Sequence, residues 1–409
     1  MPISRKQKQI MAFPFTSFDA LICDGAIRSG KTAFMMLSFV DDAMRRYNNQ
    51  RFGICGKTVD STVKNIIMPY LGLTYAQDKY RIQWRRSDKL LVVSDGEHTN
   101  YFEVFGGKDE SSFMLIQGRT LAGVLMDEVA LMPRSFVEQA LARCSVSGSK
   151  LWFNCNPESP NHWFYTEWIQ NAKERNALHL HFQLEDNPSL DEAIIQRYKS
   201  LYTGVFYQRY IMGEWVLAEG LVYDFSEDNI TDEQPQGAEH YISVDYGTLN
   251  PFSAGLWSVS GGKAVRIKEY YYDGRAKQKQ LTDEEYCDQI TKLSEGYNIR
   301  QVIVDPSAAS FIAALRKRKF AVRQANNDVL DGIRRTAVYL RDGNIKIHRS
   351  CADSIREFGL YRWDEKSTED RVIKENDHAM DEIRYFCNTI MRHKAGKTPP
   401  TPIIGGMYI

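Results

Sequence analysis

A glycine-rich stretch near the N-terminus constrains the fold more than any other feature of the chain. It reads Gly25-Ala-Ile-Arg-Ser-Gly-Lys-Thr32 and satisfies the pattern G-x-x-x-x-G-K-[ST]. The mostly apolar residues 18–23 before it predict a buried strand, and residues 32–46 after it predict a helix. Because backbone N–H groups in such a turn and the N-terminus of the following helix attract phosphate, the stretch predicts an α/β nucleotide-binding core.

Each residue of this loop has an expected role in binding ATP. The residues expected to wrap the phosphates with their backbone are Gly25, Ala26, Ile27, Arg28, Ser29 and Gly30. Lys31 is expected to reach the β- and γ-phosphates, and Thr32 is expected to ligate Mg²⁺. The side chain of Arg28 is also a candidate to neutralise charge in the transition state. A chance match is the alternative, and the strand before the loop and the helix after it argue against it.

Two acids close the next strongly apolar segment. Residues 121–126 predict a buried strand, and Asp127 and Glu128 follow it directly. Asp127 fits the role of holding the Mg²⁺-bound water, and Glu128 fits the base that orients the attacking water. A strand that simply ends in solvated acids is the alternative, and it loses weight downstream of a phosphate-binding loop.

Polar residues next to these strands are weaker candidates. Residues 151–154 predict a further strand, and Asn154 or Asn156 at its end is a candidate to sense the γ-phosphate and couple hydrolysis to movement. Turn-forming chemistry explains both residues equally well. Arg119, just before the acidic strand, is a candidate arginine finger that acts in cis or in trans, or else a surface arginine.

The pattern of elements changes along the chain. Through the first half, strands alternate with helices, which predicts a mostly parallel sheet with helices on both faces. A polar, turn-rich stretch at 227–237 predicts a domain boundary. Beyond it, three consecutive strands predict an antiparallel arrangement, followed by another strand and helices. We therefore expect a first domain at 1–230, a second at 231–393 and a tail at 394–409.

Three acids of the second domain are candidates for a metal site. Asp245 ends one predicted strand, Asp305 ends another, and Asp381 lies at the start of an amphipathic helix. Carboxylates gathered at one sheet edge repel one another, and a divalent cation is a natural reason to gather them. Two Mg²⁺ or Mn²⁺ ions held there could clamp a phosphodiester. The order of strands and acids is typical of a ribonuclease H-like fold, although a single Asp at a strand end is weak evidence.

The helix start at Asp377-His-Ala-Met-Asp381 offers more than one metal ligand. We favour Asp381 as the third ligand, with His378 in a supporting or second-metal role, because Mg²⁺ prefers oxygen. Asp377 occupies an expected N-cap position, where backbone N–H groups would engage its carboxylate.

Taken together and in this order, the motifs resemble the large terminase subunit of tailed bacteriophages. The features that carry the resemblance are the loop of form G-x-x-R-S-G-K-T, the Asp127-Glu128 strand, Asn154-Cys-Asn-Pro157, the stretches Tyr210–Trp215 and Gly220–Tyr223, and the acidic motifs that begin at Asp245, Asp305 and Asp377. The resemblance covers nearly the whole chain. It implies a P-loop ATPase domain followed by an α/β ribonuclease H-like nuclease domain. It also implies an adenine-contacting glutamine, which is either Gln7 or Gln9.

The same resemblance implies a function and partners. It implies a motor that hydrolyses ATP to move double-stranded DNA into a procapsid and that cuts concatemeric DNA with a two-metal endonuclease. It further implies a small terminase subunit, a portal protein and a homo-oligomeric ring, often a pentamer. No membrane partner is expected, because no apolar run approaches the ~20 residues that span a bilayer.

Composition limits the setting and the way DNA would be bound. Seven cysteines stand singly with no C-x-x-C pair, which argues against a disulfide framework or a zinc site and favours a reducing location, the host cytoplasm. The formal net charge is zero, so DNA contacts must come from local basic clusters such as Arg316–Lys319 and Arg81–Arg86. Solvated surface explains each cluster equally well.

Two other functions share parts of these motifs. A helicase or DNA-repair ATPase fused to a nuclease would need a second motor-like domain, and only one phosphate-binding core is found. A metabolic kinase with a ribonuclease H-like binding domain would leave the three strand-end and helix acids unexplained.

Overall fold

The computed structural model describes residues 3–247, 250–367 and 369–391. Contacts within the chain divide it into two compact units, and the division falls between Leu217 and Ala218. This division lies 13 residues before the boundary predicted after residue 230, and within the second unit the backbone N–H of Val222 bonds to the carbonyl of Tyr361. The predicted tail at 394–409 lies outside the described residues.

The first unit is built around an eight-stranded sheet. Its strands are β1 (Ala20–Gly25), β2 (Arg51–Gly56), β3 (Arg81–Arg85), β4 (Leu90–Ser94), β5 (Thr99–Gly106), β6 (Gly123–Asp127), β7 (Lys150–Asn154) and β8 (Ala177–Phe182). Their order across the sheet is β3-β4-β5-β2-β6-β7-β1-β8. The six strands from β5 onward in that order run parallel, whereas β3 and β4 form an antiparallel hairpin at one edge.

Helices cover both faces of this sheet. They are α1 (Arg5–Ala12), α2 (Lys31–Arg46), α3 (Val59–Thr62), α4 (Met68–Leu71), α5 (Thr74–Lys79), α6 (Arg134–Ala142), α7 (Glu192–Ser200) and α8 (Gly204–Tyr207). Along β1, Leu21 packs into one apolar cluster with Phe39 of α2, and Ile22 packs into another with Phe136 of α6. A strand buried on both faces needs a continuous apolar run, which is the pattern that residues 18–23 show.

The second unit contains a seven-stranded sheet. Its strands are β9 (Ile230–Thr231), β10 (Glu239–Asp245), β11 (Phe252–Ser260), β12 (Lys263–Tyr272), β13 (Ile299–Val304), β14 (Val322–Gln324) and β15 (Ile345–His348). The order is β14-β13-β10-β11-β12-β15-β9. Strands β10, β11 and β12 are antiparallel, and the remaining neighbours are parallel.

Five helices complete the described part of this unit. They are α9 (Asp283–Leu293), α10 (Ala309–Lys317), α11 (Val329–Arg341), α12 (Ala352–Phe358) and α13 (His378–Phe386). Residues of α9 and α10 share an apolar cluster with β10, β11 and β13. Helix α13 lies against β10 and β11, and this contact brings its first turn to the end of β10.

The predicted α/β fold class is confirmed in both units, but several elements differ from prediction. Residues 59–71 form three short helical pieces in place of one regular helix, with a π-helical turn at Val63–Ile67 between α3 and α4. Strand β8 was not predicted, although His179 and His181 alternate with its apolar residues in the pattern of a half-buried strand. Helix α1 was not predicted either, since five of its eight residues are Arg, Lys or Gln.

Candidate functional sites

The phosphate-binding loop leaves β1 and enters α2 through two glycines with positive φ. Gly25 has φ +115° and Gly30 has φ +86°, which are strained values for any residue with a side chain. A Cβ on Gly25 would lie 2.0 Å from the carbonyl oxygen of Phe182. The N–H of Ala26 donates to that same carbonyl at 2.8 Å, so β8 fixes the start of the loop.

Lys31 begins α2 and folds back over the loop. Its Nζ donates to the carbonyls of Gly25 at 3.0 Å and Ala26 at 2.7 Å, and it lies 3.3 Å from Oδ1 of Asn156. Burial lowers the pKa of this ammonium. Oxygens of the loop and of Asn156 therefore hold the Lys31 charge where the loop would meet a phosphate.

Three side chains from different elements meet at the C-terminal edge of the first sheet. Oγ1 of Thr32 donates to Oδ1 of Asp127 at 3.2 Å, and Nδ2 of Asn154 bonds to both atoms, at 2.8 Å and 2.5 Å. Adjacent parallel strands β6, β7 and β1 end side by side, which brings these groups together. Burial raises the pKa of Asp127, against the effect of the Asn154 and Thr32 hydrogen bonds. Their hydroxyl and carboxylate oxygens are of the type that Mg²⁺ prefers.

Glu128 follows β6 in a left-handed backbone conformation. Its φ is +56°, a value that non-glycine residues adopt uncommonly and that often marks functional positions. Burial raises the pKa of Glu128 to about 7, and the nearby charge of Asp127 adds to the rise. A carboxyl group with a pKa near neutrality is suited to accept a proton from water.

The two N-terminal glutamines differ in their relation to the loop. The side chain of Gln7 is buried and completes a capping box with Ser4. Its Nε2 stands 2.5 Å from the place where a Cβ on Gly30 would be, so Gln7 packs directly against the loop. Gln9 is half-buried and points to another side of α1, because residues two apart do not share a helix face. Of the two, the structure places Gln7 at the phosphate loop.

The two candidate arginines occupy different places. Arg28 lies in the loop with φ +57°, and its guanidinium stands over the ring of Tyr198 at 5.8 Å from the centroid. Arg119 is half-exposed, with its Nε 3.4 Å from Oε2 of Glu103. It precedes β6, whereas Glu128 follows the other end of that strand. Arg119 therefore lies toward the edge of the sheet opposite the loop of its own unit, which argues against a cis contact; a trans finger and a surface arginine stay as the alternatives.

A buried aspartate beside the loop escaped the sequence analysis. Asp24 stands one residue before Gly25, and its Oδ1 lies 2.8 Å from Nε2 of His179 and 3.1 Å from Nδ1 of His181. Its Oδ2 accepts from the indole of Trp215 at 2.7 Å. Burial acts to raise the pKa of Asp24, but the two imidazoles outweigh it and hold that pKa well below its usual range. The alternating histidines of β8 were the available signal.

In the second unit, the parallel neighbours β10 and β13 end in the two predicted acids. Burial raises the pKa of Asp245 to about 6, and the charges of Asp381 and Asp377 add to the rise. Partial burial acts to raise the pKa of Asp305, but hydrogen bonds from Ser307, Asn327 and Tyr385 outweigh it and lower the pKa. The hydroxyl of Tyr385 also donates to Oδ1 of Asp245 at 3.5 Å.

Tyr385 was not identified from sequence. It stands four residues after Asp381 in α13, on the same helix face, and this spacing was a usable signal. Through its hydroxyl, Tyr385 joins the ends of β10 and β13.

The acids of α13 pair with cationic side chains. Oδ1 of Asp381, the predicted third metal ligand, pairs with Nη2 of Arg384 at 2.9 Å, and its Oδ2 pairs with Nζ of Lys374 at 3.2 Å. Asp377 stands at the N-cap position as predicted, yet it makes no side-chain cap bond. Its Oδ2 instead pairs with Lys374 at 3.2 Å, because that lysine lies three residues earlier.

His378 lies against the end of β10. Its Nδ1 is 3.0 Å from Oδ2 of Asp245. Burial acts to lower the pKa of His378, but the Asp245 carboxylate outweighs it and raises that pKa. The contact therefore favours the protonated imidazole, which donates to Asp245 and cannot at the same time bind a metal through that nitrogen.

The second centre carries the oxygen ligands that divalent cations such as Mg²⁺ bind. Asp245 and Asp305 supply carboxylate oxygens at neighbouring strand ends, and oxygen is what Mg²⁺ and Mn²⁺ prefer. Across residues 3–247, 250–367 and 369–391, however, no group of three or more His, Cys, Asp or Glu side chains is assembled as a metal site. Asp381 would have to exchange Arg384 or Lys374 for a cation in order to join the other two acids.

The two basic clusters are not equally available. In the second unit, Arg318 pairs with Glu284 at 2.9 Å and with Asp288 at 2.5 Å, while Arg316, Lys317 and Lys319 are not held in this way. In the first unit, Arg81 and Arg85 are both exposed and lie on one face of the edge strand β3.

No helix of the described residues combines the length and the apolar character that crossing a bilayer requires.

Comparison with known proteins decides the family. Residues 22–230, about half of the chain, match the family model described as "Terminase large subunit, T4likevirus-type, N-terminal". The chain belongs to the terminase large subunit family. The large terminase subunit of Escherichia phage T5 is 23% identical over 342 residues, covering 77% of this chain and 75% of that protein.

Solved structures extend the similarity to both units of this family member. The large terminase of a thermophilic bacteriophage is 48% identical, has a TM-score of 0.89, and covers 96% of this chain and 100% of its own. That phage protein has also been solved with ADP and with ATP-γ-S. Those structures are 47% identical, with TM-scores of 0.86 and 0.85, and cover 95% of this chain and 100% of their own.

Proposed function

We propose that this terminase large subunit is a DNA-packaging motor whose first unit hydrolyses ATP. The observation that carries the proposal is the contact of Thr32, Asp127 and Asn154 beside Lys31 at one sheet edge. The phosphates would lie along the loop, with Lys31 turning from its loop carbonyls toward them. Thr32 and Asp127 would hold Mg²⁺, which neutralises phosphate charge. Glu128 would accept the proton of the attacking water, and Gln7 would contact the adenine side of the nucleotide.

We propose that the second unit is a divalent-cation-dependent endonuclease for double-stranded DNA. Asp245 and Asp305 would hold the cations, which polarise the scissile phosphodiester. We propose Asp381 as the third ligand. Asp377 is the alternative, since the carboxylates of both residues pair with Lys374. The exposed arginines of β3 and the cluster at Arg316–Lys319 would contact DNA phosphates without reading sequence.

We also propose the partners that such a motor requires. Double-stranded DNA would be the substrate of both units, a small terminase subunit would select it, and a portal protein would receive it in the host cytoplasm. A homo-oligomeric ring, a pentamer on the portal, would give Arg119 a neighbour on which to act in trans.

Reciprocal loss of two activities tests the two-site proposal. Lys31→Ala should abolish ATP binding and hydrolysis while plasmid cleavage in Mn²⁺ persists. Asp305→Ala should abolish cleavage while DNA-stimulated ATP hydrolysis persists. Loss of both activities in either folded variant would contradict the assignment of one activity to each unit.

The third ligand is tested by metal titration of cleavage. Asp381→Asn should be inactive at every Mn²⁺ concentration, and His378→Ala should need more metal. Asp377→Asn should still cut, because in this proposal Asp377 holds no metal and its side chain caps no backbone N–H group of α13. If Asp377→Asn is inactive while Asp381→Asn still cuts DNA, the assignment is reversed.

A further inference from the structure

Glu357 is a buried carboxylate that no sequence motif singles out. It lies in α12 and is 0% exposed. The hydroxyl of Tyr271 donates to its Oε1 at 2.7 Å, and the backbone N–H of Ala379 donates to its Oε2 at 2.7 Å. Ala379 is the second residue of α13. A side chain of one helix thus bonds an N–H group that the first turn of another helix leaves unpaired.

This bond takes the place of the cap that the sequence predicts. The N-cap residue Asp377 gives α13 no side-chain hydrogen bond and pairs with Lys374 instead. Glu357 therefore supplies the hydrogen bond that the start of α13 lacks.

The residues next to this cap belong to the second centre. His378 is the first residue of α13, and its Nδ1 contacts Oδ2 of Asp245 at 3.0 Å. Asp381 follows one turn later. We infer that Glu357 is a positioning residue of the proposed nuclease, which holds His378 and Asp381 in place against Asp245 by capping α13. The inference rests on the proposed nuclease function.

The same device anchors α12 itself. Oε1 of Glu269 in β12 accepts the N–H of Asp353 at 2.8 Å, and Oε2 accepts the N–H of Ser354 at 3.2 Å. Two carboxylates thus connect the sheet to α12 and α12 to α13. The position of the second centre depends on this chain of caps as well as on the packing of α13 against the sheet.

The inference is tested with two readouts on the full chain. One is hydrogen–deuterium exchange of the peptide that contains the first turn of α13, and the other is the Mn²⁺ concentration for half-maximal plasmid cleavage. In Glu357→Ala, exchange should accelerate and the metal requirement should rise ~10- to 100-fold, the usual range for groups that support metal ligands. Glu357→Gln should stay close to the wild type, because its amide oxygen still accepts from Ala379.

Thr282→Ala is the matched control, because it removes a helix cap in the same unit but away from α13. Oγ1 of Thr282 accepts the N–H of Glu285 at the start of α9. This variant should leave both the α13 exchange and the metal requirement unchanged. If it raises the metal requirement as much as Glu357→Ala does, the effect is general destabilisation and the inference is overturned.

Each other outcome is decisive. If hydrogen exchange of α13 is unchanged in folded Glu357→Ala, the capping role is overturned. If Glu357→Gln is as impaired as Glu357→Ala, the site needs the charge of Glu357 and the positioning role is overturned. If Glu357→Ala does not fold, Glu357→Asp replaces it, because the shorter side chain keeps the charge but cannot reach the N–H of Ala379. If Glu357→Asp has the metal dependence of the wild type, the inference is overturned. A wild-type protein that never cuts DNA refutes the nuclease itself, and the exchange readout still decides whether Glu357 caps α13.

Discussion

The two polar centres of this terminase subunit are assembled in different ways. In the first unit, Thr32, Asp127 and Asn154 bond to one another at the ends of adjacent parallel strands. In the second unit, Asp245 and Asp305 also end adjacent strands, but Asp381 comes from a helix and is paired with two cationic side chains. Strand ends and the loop that leads from β1 into α2 build the first centre, whereas the second depends on how α13 is held.

A buried ion pair holds α13 against the second sheet. Nη2 of Arg266 in β12 lies 2.6 Å from Oε2 of Glu382, and both side chains are fully buried. A Cβ on Gly255 of β11 would lie 2.4 Å from Nε of Arg266, so the glycine leaves room for the arginine. Ser243 of β10 also donates to Glu382. Because Glu382 adjoins Asp381 in sequence, this network fixes the rotation of α13 and the direction of the acid.

The largest expected effect lies in the first centre. Glu128→Gln should bind ATP normally but lose roughly 10³-fold in turnover, because general-base catalysis contributes about 10²–10⁴ and the amide cannot accept the proton. Nucleotide affinity by calorimetry and single-turnover hydrolysis would check this. If Glu128→Gln hydrolyses ATP at the wild-type rate, Glu128 is not the general base, and the comparison of the two centres no longer holds.

The next effect lies beneath the second centre. Glu382→Ala should lower the free energy of unfolding of the second unit by up to about 3–5 kcal/mol, because it removes one of the two carboxylates that pair with the buried Arg266. The other carboxylate, that of Glu269, stays 2.8 Å from Nη1 of Arg266. Urea denaturation read by hydrogen exchange of β10–β12 peptides would measure the loss. Arg300→Ala is the control. It breaks an exposed pair with Glu239 of 2.7 Å, and such pairs contribute up to about 1 kcal/mol. Equal losses in the two variants would contradict the role given to the buried pair.

Arg119 sharpens the comparison, because its proposed trans role would extend the first centre beyond a single chain. Arg119→Ala should lower ATP turnover in the assembled motor on the order of 100-fold, or about 3 kcal/mol, and leave the isolated subunit unchanged. Arg51→Ala is the control, since Arg51 contacts the same Glu103. If mixing Arg119→Ala with Glu128→Gln protein restores no activity, the trans role is rejected.

The smallest expected effect separates the two N-terminal glutamines. Gln7→Ala should weaken ATP binding up to about tenfold, the equivalent of one or two hydrogen bonds, because Gln7 packs against Gly30. Gln9→Ala should leave affinity within about twofold, since Gln9 is only half-buried and lies on another side of α1 from Gln7, and substitutions away from a site rarely exceed about 0.5 kcal/mol. Fluorescent-nucleotide titration of both variants would decide, and a larger loss in Gln9→Ala would reverse the choice.

The sequence alone determined most of the first centre. Gly25, Gly30, Lys31, Asp127 and Asn154 follow or begin apolar segments, and the ends of parallel strands must lie along one edge. The glycine-rich motif located Gly25, Gly30 and Lys31, and the ends of predicted strands located Asp127 and Asn154, before any contact was known. The same reasoning located Asp245 and Asp305, and it supported the two-domain α/β fold.

Tertiary structure decided what strand periodicity does not encode. The pairing of Asp381 with Lys374 and Arg384, the contacts of Asp24 with β8 and the cap from Glu357 join residues far apart in sequence or on different helix faces. The location of Arg119 toward the opposite edge of the sheet could also be known only from the order of the strands. A helix can rotate and slide while its apolar pattern stays the same. Its functional face is therefore set by the partners it meets, and these are known only once the chain has folded.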